Sequence, residues 1–322
     1  MKLEKIGRRG VLFNFGEGDA AFNFPTSVYM INSNRRLFLC DTHIGPKSMD
    51  AVKKYISDNK LGHKELFIFN THVDADHIWG NCAFENAVVI ASIKAEERLR
   101  ERGIFDYERL TRFHNGNVQL RFPDITFDGK LAFAEDGIEF AYAPGHTADS
   151  SICIDKKDSV VFAGDLLEYP MPAVNHHDVE GFLNSLKLIE GYKTETVISS
   201  HSGIISKALL QDSICYLRGL IDHGAAIPVG QRDAEWMEGH RYNTKNLMYL
   251  RHEKKIREKL GSSFDYASFK RDFWRFVDPG YGDMGREFEY FGALDYDALD
   301  ALLQKYEEQL AGNKTETEVN ER

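Results

Sequence analysis

Five times in the first two-thirds of the chain, a strand-like apolar run stops abruptly at a side chain able to bind a metal. Leu37 to Cys40 ends at Asp41, and Leu66 to Asn70 runs into Thr71-His72-Val73-Asp74-Ala75-Asp76-His77. Phe140 to Ala143 ends at Pro144-Gly145-His146, Val160 to Ala163 at Gly164-Asp165, and Val197 to Ser200 at His201. Strand ends on a shared sheet edge can be brought together, whereas ligands scattered over helices and loops have no common meeting place. The recurrence therefore predicts a layered fold with these ends on one side.

The rest of the patterning agrees with layers. Short β-branched and aromatic runs read as strands at Val11 to Phe15, Ser27 to Ile31, Leu37 to Cys40, Leu66 to Phe69, Ala87 to Ala91, Ile138 to Ala141, Ser151 to Ile154, Val160 to Ala163 and Thr196 to Ile198. Helical spacing separates them at Lys47 to Ser57, Ile93 to Arg100, Val179 to Ile189 and Lys207 to Ile221. After about His223 strand-like runs vanish, and Thr244 to Lys259, Tyr266 to Phe276 and Tyr296 to Leu310 have helical character. The expected organisation is a domain over residues 1–222, a helical C-terminal extension over 223–311 and a polar, disordered tail over 312–322. Aromatics crowd Phe264 to Phe291, including Phe269, Phe273, Trp274, Phe276, Phe288, Tyr290 and Phe291. They need a surface: the core, a substrate pocket or a homodimer contact.

Composition narrows the function. With 322 residues, 43% hydrophobic and 28% charged, the chain can bury a sizeable core, which excludes collagen-like, mucin-like and wholly disordered classes. Its 50 acidic against 40 basic residues leave a formal charge of −10, unfavourable for nucleic acid and anionic membranes. The longest basic run, around Arg251, Lys254, Lys255 and Arg257, reads as a solvated helix face. No apolar stretch approaches the roughly 18 residues of a membrane span, and Met1 to Gly10 lacks the apolar run of a signal peptide, so the expected location is the cytoplasm. Cys40, Cys82, Cys153 and Cys215 lie far apart, which suits reduced and mostly buried thiols. Gly280 to Gly285 formally matches a dinucleotide fingerprint but follows Asp278-Pro279 rather than a strand, and reads as a turn.

The segment from His72 to His77 brings four potential ligands within six residues, a spacing that only a tight loop can aim at one point. Together His72, Asp74, Asp76, His77, His146, Asp165 and His201 exceed what one tetrahedral ion accepts, so two metals are expected, joined by a bridging carboxylate, naturally Asp165.

These residues resemble the metallo-β-lactamase-fold superfamily, also called the glyoxalase II-like metallo-hydrolases. Its pattern is a strand-ending Asp, then His-x-His-x-Asp-His, then a lone His, a lone Asp and a final His. Asp41, His72 to His77, His146, Asp165 and His201 follow that order, with Thr71, the Pro144-Gly145-His146-Thr147 turn and Gly164-Asp165 as customary neighbours. The likeness covers about Val11 to Ile221. It implies an α/β (α+β) fold, a four-layer αββα sandwich with the metals at one edge. By resemblance His72, Asp74 and His146 hold a first metal, Asp76, His77 and His201 a second, and Asp165 bridges them.

One position departs from the pattern. Asp74 stands where the family usually has its second histidine, so two divalent ions are balanced by three carboxylates and one hydroxide, where the usual site stays positive. Iron or manganese gains on zinc in such a site. A carboxylate there is characteristic of the flavo-diiron oxidoreductases; theirs is usually Glu, one methylene longer. Those relatives carry a flavodoxin module, which the region after His223 does not resemble, and neither a flavin nor a nicotinamide cofactor is expected here.

The resemblance implies a hydrolase of an ester, thioester, lactone or phosphoester, a small-molecule substrate attacked by a metal-bridging hydroxide. Asp76 and Asp165 are the catalytic candidates, Asp76 also orienting the hydroxide or passing its proton on. Asp41 is expected behind the ligands, fixing a histidine tautomer. Leu166 to Asp178, with Glu168, Tyr169, His176 and His177, corresponds to a segment that overhangs the metals in similar enzymes. Tyr169, His176, His177 and His43 are candidate substrate contacts. His63, His114, His223, His240 and His252 lack supporting neighbours and read as surface residues. Two other classes compete: a non-haem di-iron protein acting on oxygen or nitric oxide without its own flavin domain, and a binding module that keeps the metals without turnover.

Overall fold

The computed structural model describes residues 1–16, 25–227, 232–277, 300–301 and 303–308. Within them one sheet is built from β1 (Lys2–Ile6), β2 (Gly10–Phe15), β3 (Thr26–Asn32), β4 (Arg36–Cys40), β5 (Glu65–Phe69), β6 (Val88–Ser92) and β7 (Ile125–Phe127), side by side in chain order. Its first four strands pair antiparallel and β4 to β7 pair parallel. The second sheet contains β8 (Lys130–Phe133), β9 (Ile138–Tyr142), β10 (Ser151–Asp155), β11 (Val160–Phe162), β12 (Thr196–Ser199) and β13 (Gly203–Ile205), also in order, with β11 and β12 parallel.

The sheets face each other across an aromatic interior. Phe69 stacks on Phe140 with ring centroids 4.1 Å apart, and Tyr29 stacks on Phe162. Removing a ring as buried as Phe140 would cost about 3–5 kcal/mol. Helix α1 (Asp50–Asp58) covers the outer face of the first sheet, its buried Val52 clustering with Phe13, Met30, Leu39 and Ile68. Three short helices follow, α2 (Ala75–Ile78), α3 (Ile93–Arg98) and α4 (Ile104–Arg109), with a π-helical turn at Leu99–Gly103 between the last two. Helices α5 (Val179–Gly191) and α6 (Lys207–His223) cover the second sheet, burying Phe182, Leu186, Leu217 and Leu220 against Ile152, Ile154 and Val161. This is the αββα sandwich expected from the sequence. Side-chain caps start the helices: Asp178 accepts from Gly181 N and Ser206 from Leu209 N.

The C-terminal region is helical where it is described. Helix α7 (Ala234–Leu260) is longer than the run Thr244 to Lys259, because Asp233 caps it at Trp236 N. Trp236 and Leu247 enter the α5–α6 core, and farther along Met248, Tyr249 and Ile256 pack on Phe269 and Phe273 of α8 (Tyr266–Val277), with Leu303 and Tyr306. Phe288, Tyr290, Phe291, the Gly280 to Gly285 turn and the 312–322 tail lie outside the described residues, as does part of the Tyr296 to Leu310 run. His240 and His252 are buried rather than on the surface, as α7 lies against the body of the protein: His240 Nδ1 meets the Tyr216 hydroxyl at 3.2 Å, and His252 pairs with Glu307. Cys40, Cys82, Cys153 and Cys215 are unbridged, the first and third buried. Among the described residues no helix is long and apolar enough to cross a membrane.

Candidate metal centre

Parallel pairing of β4 with β5 and of β11 with β12 aims four chain exits at the same edge, and the Ala143 to His146 turn after β9 arrives beside them. The segment after β5 solves the crowding of its four ligands with a single helical turn. Asp74 is extended (ψ 152°) at the head of α2 and makes no cap hydrogen bond with its side chain, while Asp76 and His77 lie within the turn. Val73 N is pinned to Asp149 Oδ2 at 2.9 Å.

All seven side chains meet. Asp165 Oδ2 lies 3.5 Å from His72 Nε2, 3.1 Å from His77 Nε2, 3.7 Å from His146 Nε2 and 3.1 Å from His201 Nε2. Asp74 Oδ2 is 3.5 Å from His72 Nε2 and 3.7 Å from His146 Nε2, so its shorter side chain reaches the cluster. Asp76 Oδ2 is 3.5 Å from His77 Nε2 and 3.3 Å from His201 Nε2. The donor atoms fall into groups able to hold an ion: His72, Asp74 and His146; His72, His77 and Asp165; Asp76, His77 and His201; His146, Asp165 and Glu168.

The imidazoles are aimed from behind. Asp41 Oδ2 meets His77 Nδ1 at 2.8 Å and also accepts from Thr71 Oγ1, while Asp41 Oδ1 accepts from Thr71 N. His146 Nδ1 contacts Ala173 O at 3.1 Å, His201 Nδ1 contacts Pro25 O at 2.8 Å and His72 Nδ1 contacts Thr71 Oγ1 at 3.1 Å. With each Nδ1 engaged, each Nε2 points inward, the arrangement that metal-ligating histidines need. Gly164 permits it: at φ +57°, a Cβ there would lie 2.9 Å from the Thr71 side chain.

Polar atoms turned into this centre are left without protein partners. His72 Nε2, His77 Nε2, Asp76 Oδ2 and Asp165 Oδ1 are buried and unsatisfied, which costs free energy unless a cation sits among them. The charges hold one another. Against burial, which pulls an imidazole down, Asp165, Asp76 and Asp41 keep His77 well above its ordinary value; Asp74 and Asp165 lift His146 to about 9, and Asp165 with Asp76 lifts His201 to about 10. Burial works upward on Asp74 and Asp165, yet Arg98 holds the first and His201 the second well below the carboxylate range. Protons held this way are the ones a divalent ion displaces. The residues present therefore fit a metal.

Other predicted contacts are more dispersed. His43 is buried, with Nδ1 on Ser48 Oγ at 2.9 Å and its ring 4.6 Å from that of Phe15, and it joins none of the donor groups. Tyr169 is 62% exposed. His176 and His177 line a cavity of about 390 Å³ with Arg98, Glu253, Lys254 and Arg257. Burial, then His177, push His176 down to about 4, so it is neutral near pH 7.

Four residues of this neighbourhood, Arg98, Asp149, Asn175 and Asn246, were not singled out from sequence. Arg98 Nη2 reaches Asp74 Oδ1 at 2.5 Å and Nη1 lies 3.4 Å from Asp149 Oδ1. Asn175 Nδ2 is 3.4 Å from His146 Nε2, and its Oδ1 accepts from Asn246 Nδ2 of α7 at 2.7 Å. The available signal was the carboxylate at position 74 itself, which adds a negative charge and so calls for a cation nearby.

Comparison with known proteins now fits the geometry. The family described as the metallo-beta-lactamase superfamily matches residues 21–201, more than half of the chain. The chain belongs to the metallo-β-lactamase superfamily. A metallo-β-lactamase from Pontibacter korlensis superposes with TM-score 0.53 at 18% identity, over 67% of this chain and 98% of that one. The DIM-1 metallo-β-lactamase gives TM-score 0.53 at 16% identity, and TMB-1 gives 0.55 at 15%, each over 67% of this chain and 96% of its own. Likeness at this identity shows a shared fold. No curated protein sequence matches the chain.

Proposed function

We infer that this superfamily member is a binuclear metal-dependent hydrolase of an ester, thioester, lactone or phosphoester. The observation that carries the reading is the convergence of four imidazole Nε2 atoms on Asp165 Oδ2, with inward atoms on both sides of it unsatisfied. His72, Asp74 and His146 would hold one ion, Asp76, His77 and His201 the other, and Asp165 both. Such a pair of cations supplies hydroxide near neutral pH and polarises a carbonyl or phosphoryl oxygen, so no protein nucleophile is needed.

The chain's own groups do the rest. Asp76, between His77 and His201, orients the attacking water and accepts its proton. Asn175, beside His146, offers an amide N–H to a substrate oxygen. His176, uncharged in the cavity wall, can exchange a hydrogen bond with a leaving group without repelling cations. Helix α7 takes part in substrate access, since its Asn246 holds Asn175 and its Glu253 and Lys254 line the cavity.

Metal analysis by mass spectrometry of protein from unsupplemented medium should give about two ions per chain. The same protein should hydrolyse generic ester or phosphoester reporters and lose that activity in His201→Ala. A fully metallated protein silent across broad panels would count for the non-catalytic binding module.

The seat of Asp74 between His72 and His146 favours a second reading, a di-iron centre acting on oxygen or nitric oxide with electrons from an outside partner. Mössbauer and visible spectra of anaerobically prepared protein test it, and a zinc-only centre inert to oxygen removes it.

A further inference from the structure

We propose that Glu168 is an eighth protein donor to this centre, a carboxylate ligand of the ion held by His146 and Asp165. The inference rests on the binuclear reading above and adds a residue outside the pattern on which that reading was built. A donor atom of Glu168 lies within 4.8 Å of donor atoms of both His146 and Asp165, a spacing that one small cation between them can draw together.

The position is held from both sides. Leu166 and Leu167 are fully buried just before it, and just after it Tyr169 N donates to Ser202 Oγ at 2.9 Å, next to His201. Three residues beyond Asp165, the turn that delivers the bridging carboxylate thus delivers a second one to the same edge. Among the described residues Glu168 has no hydrogen-bond or ion-pair partner, unlike Asp74 with Arg98 or Asp41 with Thr71 and His77. A half-buried carboxylate without donors is unfavourable unless a cation completes it.

The charge balance agrees. Asp74, Asp76, Asp165 and Glu168 together neutralise two divalent ions before any hydroxide is counted, and the Arg98 guanidinium on Asp74 offsets the hydroxide. Four histidines and four carboxylates make an oxygen-rich donor set, which raises the standing of manganese and ferrous iron relative to zinc.

The test is a Mn²⁺ titration of the chelated full-length protein, repeated with Zn²⁺, comparing wild type with Glu168→Gln and His146→Ala. Two ions bind the wild type. In Glu168→Gln one of the two steps should weaken at least ~10-fold, more for Mn²⁺ than for Zn²⁺. His146→Ala should weaken the same step, and the double variant should lose less than the sum of the two changes. Thermal melting after chelation checks folding: Glu168→Gln should melt no lower than wild type, since it removes an unpartnered carboxylate. Two-ion binding at wild-type affinities in Glu168→Gln overturns the ligand assignment, whatever happens to hydrolysis. A wild type that takes up fewer than two ions overturns the binuclear reading instead.

Discussion

At the end of the sandwich where β10 turns into β11, Asp155 is 1% exposed and takes both Nε and Nη2 of Arg9, along with Lys157 N and Asp158 N. At the opposite end, past β11, Asp165 is 4% exposed and faces four imidazoles and other carboxylates, with Oδ1 unsatisfied. Asp155 ends β10 and Asp165 follows β11, its antiparallel neighbour. Nearby, Arg36 pairs with Asp136, and Lys130, Lys156 and Tyr192 close on Glu139. One end therefore closes its buried carboxylates with Arg and Lys side chains, whereas at the other Arg98 serves Asp74 and Asp149 while Asp76 and Asp165 face imidazoles and keep inward atoms unsatisfied. That asymmetry, more than the presence of histidines, marks which end binds something.

The largest effect should separate the ends outright. Asp165→Ala should abolish two-ion binding and reduce hydrolysis to background, while after chelation it melts below wild type, because His77 and His201 lose a buried counter-charge. Two-ion binding at wild-type affinity in Asp165→Ala would break the comparison. At the other end, Asp155→Asn leaves the mostly buried Arg9 guanidinium without its counter-charge and should cost about 3 kcal/mol in denaturant unfolding. Its metal content should stay that of wild type.

A smaller effect tests the boundary between the two regimes. Asp41 belongs to the metal-binding end but is fully partnered. Asp41→Asn should keep the fold and weaken metal binding by about 10- to 100-fold, the usual cost of losing a carboxylate behind a ligating histidine. Isothermal titration after chelation measures it, and unchanged affinity would assign Asp41 to the loop structure alone.

How much of this was legible follows from what a local pattern can carry. Asp41, His72, His146, Asp165 and His201 each follow a buried strand, so a run of apolar residues announced them, and the exits of parallel strands could only emerge at one edge. Strands β1, β7, β8 and β13 gave no such run. They lie at or near the sheet margins, where Lys130 to Phe133 alternates exposed and half-buried residues and pairing with a neighbour supplies the order that its own side chains do not. The first turns of α7 were hidden because Ala234 to Asn243 includes Gly239 and no clean apolar stripe. Arg98 was illegible for another reason: on its helix nothing distinguishes it from Arg100 or Arg102. Only the packing of α3 beside the His72 to His77 loop makes Asp74 its partner.

The smallest effect concerns Glu139, at the start of β9, the strand whose far end leads to His146. Burial pushes its carboxyl up, but hydrogen bonds from Lys156, Tyr192 and Lys130 outweigh that and hold it at about 2, against an ordinary 4.5. Between these values the unfolded chain binds more protons than the folded one, so stability rises with pH there. The contribution is complete above about pH 4.5 and disappears as pH falls through about 2. Because the Lys130 and Lys156 side chains are 55% and 53% exposed, solvent screens the pairs and the contribution at neutral pH is about 1 kcal/mol. Glu139→Gln should accordingly lower stability by that amount at pH 7 and converge on wild type near pH 2, with metal affinity unchanged at neutral pH. A variant that shifted metal affinity instead would show that β9 transmits strain from its ion-paired start to His146, and the two ends would no longer be separable.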